Sequence, residues 1–135
     1  MTDARAKATG IGGVFLYAND AKALSEWYAR HLGFSLAPMD SGKTFYQDLF
    51  TRSDQNPTKR QRFVFAIFTA DTKLPAERRE FMANYRVDNL EMLLAQLRQS
   101  GVEIEKTEDH PYGHFAWVRD PEGNRIELWQ PLGED

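Results

Sequence analysis

The spacing of apolar residues changes period several times along the chain. From Ile11 to Ala18 an unbroken apolar run, rich in β-branched and aromatic residues and opened by Gly10, Gly12 and Gly13, predicts a buried strand. Asn19 and Asp20 end it and are good helix N-caps. Leu24, Trp27, Tyr28 and Leu32 then recur at helical spacing, with Ser25, Glu26 and Arg30 opposite, until Gly33 supplies a stop. Phe34 to Leu36, Thr44 to Thr51 and Arg62 to Thr69 read as three more strands. They are separated by a turn from Pro38 to Gly42 and by a polar loop from Ser53 to Arg60 that has no hydrophobic anchor and reads as mobile. Ala70 to Glu80, with Pro75 and many charges, has no strand pattern and predicts a connection between halves.

The second half repeats this order. Ala83 to Val87 predicts a strand, and Asp88-Asn89-Leu90-Glu91 a capping box opening a helix whose apolar stripe is Leu90, Leu93, Leu94 and Leu97, stopped at Gly101. Val102 to Lys106 is a short strand, and His110 to Gly113 a turn. Phe115 to Arg119 and Arg125 to Gln130 are the arms of a hairpin closed by Asp120-Pro121-Glu122-Gly123. Laying Ala18-Asn19-Asp20 on Val87-Asp88-Asn89 brings Gly33 within one residue of Gly101. The repeat lies in the order of elements, not in residue identity.

Composition narrows the function classes. The chain has 135 residues, enough for one domain with a real core, read here as residues 10–132 after a disordered start at 1–9. Its modules span about 10–70 and 81–132. There is no cysteine, which excludes thiolate metal sites and cysteine nucleophiles. Seventeen basic residues face twenty acidic ones, and only Lys59-Arg60-Gln61-Arg62 stands apart as a basic cluster, so nucleic acid is not the expected partner. Nor is a membrane, since no long apolar run occurs; the expectation is a soluble cytoplasmic protein. No nucleophile elbow accompanies the serines, and Gly10-Ile11-Gly12-Gly13 precedes a strand rather than following one, the wrong context for a phosphate loop.

The duplicated strand-helix-three-strand order, the helix ending Glu26-Trp27-Tyr28-Ala29-Arg30-His31-Leu32-Gly33-Phe34 and the motif Asp120-Pro121-Glu122-Gly123-Asn124-Arg125-Ile126-Glu127-Leu128-Trp129 together resemble the vicinal oxygen chelate superfamily. That group includes glyoxalase I, extradiol dioxygenases, fosfomycin resistance enzymes and bleomycin resistance proteins. The resemblance implies an α+β fold of two βαβββ modules forming a cupped, partly closed mixed sheet with helices outside, and a homodimer. It also implies metal ligands on the first and last strands of each module. Glu127 matches one such position. The others fall on Gly13, on Met82 or Asn84, and within Arg62 to Thr69, where no His, Asp or Glu occurs. A lone carboxylate does not hold a catalytic divalent ion against water, so no cofactor is expected, and any metal would rest on Glu127.

An emptied cup can hold something else. A four-residue hairpin loop with Gly123 left-handed sets Trp117 opposite Glu127. Ala116, Val118, Ile126 and Leu128 then share the core face, and Phe115, Trp117, Glu127 and Trp129 the concave one. By the same parity Phe15, Tyr17, Asn84 and Arg86 complete a pocket with aromatic walls and a few polar groups, suited to a flat organic molecule. The expected function is therefore that of a bleomycin-resistance-like protein binding a small aromatic or amphipathic molecule. The alternative is a metal-dependent lyase, isomerase or dioxygenase using Glu127 with His114 or Asn84. Two structural readings compete: an ion pair between Glu127 and Arg86, and aromatics that serve only as core. His31, in the last turn of its helix, reads as a structural residue whose charged form the helix dipole favours. His114 falls on the core side of its strand.

Overall fold

Both halves of the chain build one unit twice. The computed structural model describes residue 11 and residues 13–54, 56–76 and 78–132, with the backbone alone at residues 53, 56, 59 and 78–81. The first unit is β1 (Gly13–Ala18), α1 (Ala21–Leu32), β2 (Ala37–Met39), β3 (Thr44–Ser53) and β4 (Asn56–Thr69). The second is β5 (Arg78–Arg86), α2 (Leu90–Gln99), β6 (Ile104–His110), β7 (Gly113–Arg119) and β8 (Asn124–Pro131). Each makes a four-stranded mixed sheet, ordered β1-β4-β3-β2 and β5-β8-β7-β6, and neither sheet is closed. In each the first strand runs parallel to the last, with Phe15 opposite Ala66 and Asn84 opposite Glu127, while the remaining pairs are antiparallel. The two βαβββ modules of an α+β fold are thus present, as the sequence predicts.

The helices begin and end for local reasons. Asp20 caps α1 by accepting from Ala23 N at 3.0 Å, and Gly33 takes φ +74°, a conformation that costs glycine nothing, at the C-cap. In α2 the cap is Asn89, which accepts from Met92 N at 3.0 Å, one residue later than the expected capping box on Asp88; Gln130 Oε1 takes the Leu90 N–H at 2.7 Å. Ser25, expected on the outer face of α1, is 5% exposed. Its hydroxyl donates to the Lys22 carbonyl of its own helix at 2.8 Å, which makes burial tolerable.

Three expectations between α1 and α2 are corrected. Phe34 to Leu36 is not a strand: Phe34 stacks on Phe65 at 4.6 Å between centroids, and Ser35 N donates to Gln47 Oε1 at 2.8 Å. The strand instead contains Pro38, tolerated because β2 is the edge of its sheet, and the turn shifts to Asp40–Gly42. Ser53 to Arg60 is not a free loop. β3 and β4 continue through it as a long hairpin, with Arg60 over the Phe50 ring at 4.0 Å and Arg52 Nη1 donating to the Pro57 carbonyl at 3.1 Å. Phe50 is the anchor that the loop residues alone did not reveal. Finally, β5 starts at Arg78, which shortens the connection; the expected disordered start at residues 1–9 lies outside the described residues.

Each helix covers one face of its own sheet. Leu16, Ala18, Ala21, Leu24, Tyr28, Phe65 and Ile67 form the first core. Leu90, Leu94, Leu97, Ala116, Val118, Ile126 and Leu128 form the second. Full burial of such a side chain contributes roughly 1.5–3 kcal/mol, so these clusters carry the stability. Trp27, Leu32 and Tyr85 pack against both cores and make the seam between modules. The seam therefore runs along the helix side, and the helix-free faces of both sheets are turned away from it.

Candidate functional site

The turn between β7 and β8 sets the register of everything around it. Gly123 has φ +89° and its N–H returns to the Asp120 carbonyl at 3.0 Å, giving the left-handed closure the hairpin needs. Arg119 then faces Arg125, Trp117 faces Glu127 and Phe115 faces Trp129. This is the pairing expected from sequence, and the division of faces follows it. Ala116, Val118, Ile126 and Leu128 are buried against α2, while Phe115, Trp117, Glu127 and Trp129 are half-buried on the other side.

That helix-free face is an ordered array of rings. Phe115 stacks on Trp117 with 15° between planes and on Trp129 with 13°, each at 6.2 Å. Arg86 lies over Trp129 at 5.3 Å; Lys106 and Arg125 lie over Trp117 at 5.6 Å each. Such contacts contribute about 0.5–1 kcal/mol at exposed sites and restrain the rings. Trp129 also lies across Gly113, where an added Cβ would overlap the indole nitrogen, and that nitrogen is buried without a hydrogen-bond partner among the described residues. Glu127 Oε2 accepts from Asn84 Nδ2 at 2.6 Å, while Arg86 sits over its tryptophan.

The structure thus brings together Asn84, Arg86, Phe115, Trp117, Glu127 and Trp129. Phe15 and Tyr17 lie on the other sheet, packed on Phe68 at 5.5 and 5.6 Å and 50% and 56% exposed. Asn84 and Arg86 also border a hollow of about 420 Å³ between the modules, with Val14, Phe34 and Tyr85.

Sequence reasoning missed Lys106, the stacking of Arg125 on Trp117 and two carboxylates. Glu105 pairs with Arg119 and Arg125 at 2.9 and 3.1 Å; Glu108 pairs with Lys106 and His110 at 2.7 and 3.0 Å. Burial alone would raise Glu105, but the two arginines outweigh it and hold its carboxyl below the usual range; bonds from Lys106 and His110 do the same for Glu108. Alternation along β6 was the available signal. A register shift between Ile104 and Lys106 hid it.

The histidines lie elsewhere. His114 sits on the α2 side as expected, its Nδ1 2.6 Å from Asp109 Oδ1. His110 stacks on Tyr112 at 5.1 Å. His31 packs on Trp27 at 5.1 Å, and burial, with Arg30 beside it, lowers its pKa. The helix dipole expected to favour its charged form is outweighed.

With the fold and this face described, comparison with known proteins places the chain. Residues 10–128 match the Glyoxalase/Bleomycin resistance protein/Dioxygenase superfamily, and the chain belongs to it. Among solved structures it resembles an antibiotic binding protein from Streptomyces sp. CB03234, with 20% identity, TM-score 0.68, and 95% and 100% of the two chains covered. It also resembles a glyoxalase/bleomycin resistance protein/dioxygenase from Nocardioides, with 17% identity, TM-score 0.66, and 98% and 89% covered. A lactoylglutathione lyase from Agrobacterium tumefaciens shares 18% identity at TM-score 0.62, with 91% and 94% covered. No curated protein matches the chain. At these identities the solved structures establish the fold alone.

The divalent ion that many members of this fold use does not fit the residues present. The β4 residue opposite the first strand, where Glu127 stands in β8, is Ala66. Among the described residues no three of His, Asp and Glu converge. Glu127 instead has a single neutral amide for a partner, and one carboxylate with one amide is too small a donor set to hold a dication against water.

Proposed function

We propose that the protein binds a small flat aromatic or amphipathic molecule on the helix-free face of β5, β8, β7 and β6, without a metal ion, in the manner of the bleomycin resistance members of its superfamily. The observation that carries this reading is the ring array itself: Trp117, Phe115 and Trp129 lie within 15° of parallel from one to the next, with Arg86 over Trp129 and Lys106 and Arg125 over Trp117. Aromatic edges and faces beside a few fixed polar groups are what a flat ligand needs. That one structural neighbour is an antibiotic binding protein agrees with it. In this reading the protein works in the cytoplasm as a homodimer. No helix of the described residues is long and apolar enough to cross a membrane.

Titration with phenazine, a neutral tricyclic aromatic, should quench tryptophan emission saturably, and Trp129→Ala should weaken binding at least tenfold. Because Trp129 is only half-buried, that substitution should cost clearly less than the roughly 3–5 kcal/mol of a fully buried aromatic in urea unfolding. No quenching up to the solubility of the probe, together with a loss in that upper range, would assign the tryptophans to structure alone. Elemental analysis of untagged protein is expected to show well under one Zn, Ni, Mn or Fe per chain. A stoichiometric metal lost in Glu127→Ala would replace this reading with a metal-dependent one.

A further inference from the structure

We infer that the ligand of this face presents hydrogen-bond donors or a positive charge, in the form of an amine, an amidine or an amino-substituted ring, to Glu127 and Asn84. The inference rests on the binding reading above and adds the polarity of the molecule bound.

It follows from an account of charge on the face. Arg119 and Arg125 share Glu105, and Lys106 holds Glu108. Arg86 is engaged over Trp129. Glu127 differs: its carboxylate takes one hydrogen bond, at 2.6 Å, from the neutral Asn84 amide, and among the described residues no cation pairs with it. Of this pair, Glu127 Oε1 and Asn84 Oδ1 remain without partners among the described residues, and both are acceptors. The cross-strand pairing sets Glu127 beside Asn84, with Trp117 directly across from Glu127 and Trp129 two residues along the same strand. A carboxylate and an amide oxygen next to two indoles form a receptor for a planar group with two N–H donors. A carboxylate in the same place would meet two lone pairs and a like charge.

The distinction can be made with two probes of one shape and opposite sign, 2-naphthamidine and 2-naphthoate, titrated calorimetrically into the full chain. The amidine should bind at least tenfold more tightly, since a charge-assisted pair replaces a repulsive one. Glu127→Gln, which keeps the shape of the side chain, should cost the amidine about tenfold or more and leave naphthoate unchanged or improved. Asn84→Ala, at an exposed position, should weaken the amidine in the same direction. Tighter binding of naphthoate, or an amidine indifferent to both substitutions, would overturn the inference while leaving the aromatic face as a binding site. Failure of both probes and of phenazine would remove the binding reading itself, and the inference with it.

Discussion

Asp120 shows how much one side chain can fix. It is 4% exposed and accepts from Glu122 N, Asn124 N, Asn124 Nδ2 and the Tyr28 hydroxyl, all between 2.7 and 2.9 Å. The first three close the β7–β8 turn and the last reaches into the other module. Burial raises its pKa, the hydrogen bonds only partly offsetting it, and burial beside this carboxylate also raises the Tyr28 hydroxyl. Removing the carboxylate in Asp120→Ala strands several buried donors and should cost roughly 3–5 kcal/mol in urea unfolding at neutral pH. The pH dependence has a definite sign. A carboxyl whose folded pKa is raised favours its neutral form in the fold, so its contribution is full below the unfolded value near 3.8 and is lost as pH rises through the folded value. The stability of the wild type minus that of Asp120→Asn should therefore fall as pH rises from 3.8; a flat difference between pH 3 and 6 would contradict it.

At the scale of elements, patterns confined to one strand or helix were legible in the sequence, and those that depend on a distant partner were not. The alternation Ile126, Leu128 against Glu127, Trp129, with the turn chemistry of Asp120 to Gly123, was enough to set Trp117 opposite Glu127, because a one-residue slip would have turned the whole apolar set to solvent. The continuation of the β3–β4 hairpin through Ser53 to Arg60 was missed because its apolar anchor is Phe50, stabilised by Arg60 across the ladder, a contact no local window contains. The cations over Trp117 were missed for the same reason. So was the role of Glu122, which reads as an ordinary turn residue. Its two oxygens accept from Asn19 N and Asp20 N at 2.9 Å each, placing a negative charge at the start of α1. Glu122→Gln should cost about 1 kcal/mol, with faster amide hydrogen exchange in the first turn of α1 than in α2. Equal exchange changes in both helices would point instead to a global effect.

For the molecule as a whole, the unfinished business is on the helix-free face of β1, β4, β3 and β2. Phe15, Tyr17, Met39 and Phe50 are all exposed there, on one side of one sheet. Exposed apolar side chains gathered on one sheet face are costly in water unless something covers them. β1 and β5 are also sheet edges with open hydrogen-bonding positions. A homodimer is expected, and light scattering at tens of micromolar should give twice the 15.6 kDa chain mass, with Phe15→Asp shifting it toward the monomer. A monomer mass for the wild type at that concentration would rule this out.

The clasp of Glu122 on Asn19 joins residues 103 positions apart, and Asp120 reaches Tyr28 across 92. On the ribosome these partners appear at opposite ends of a long interval. Helix α1, although made early, lacks these two contacts until nearly the whole second module has been synthesised, so the last hydrogen bonds of the first module depend on the second.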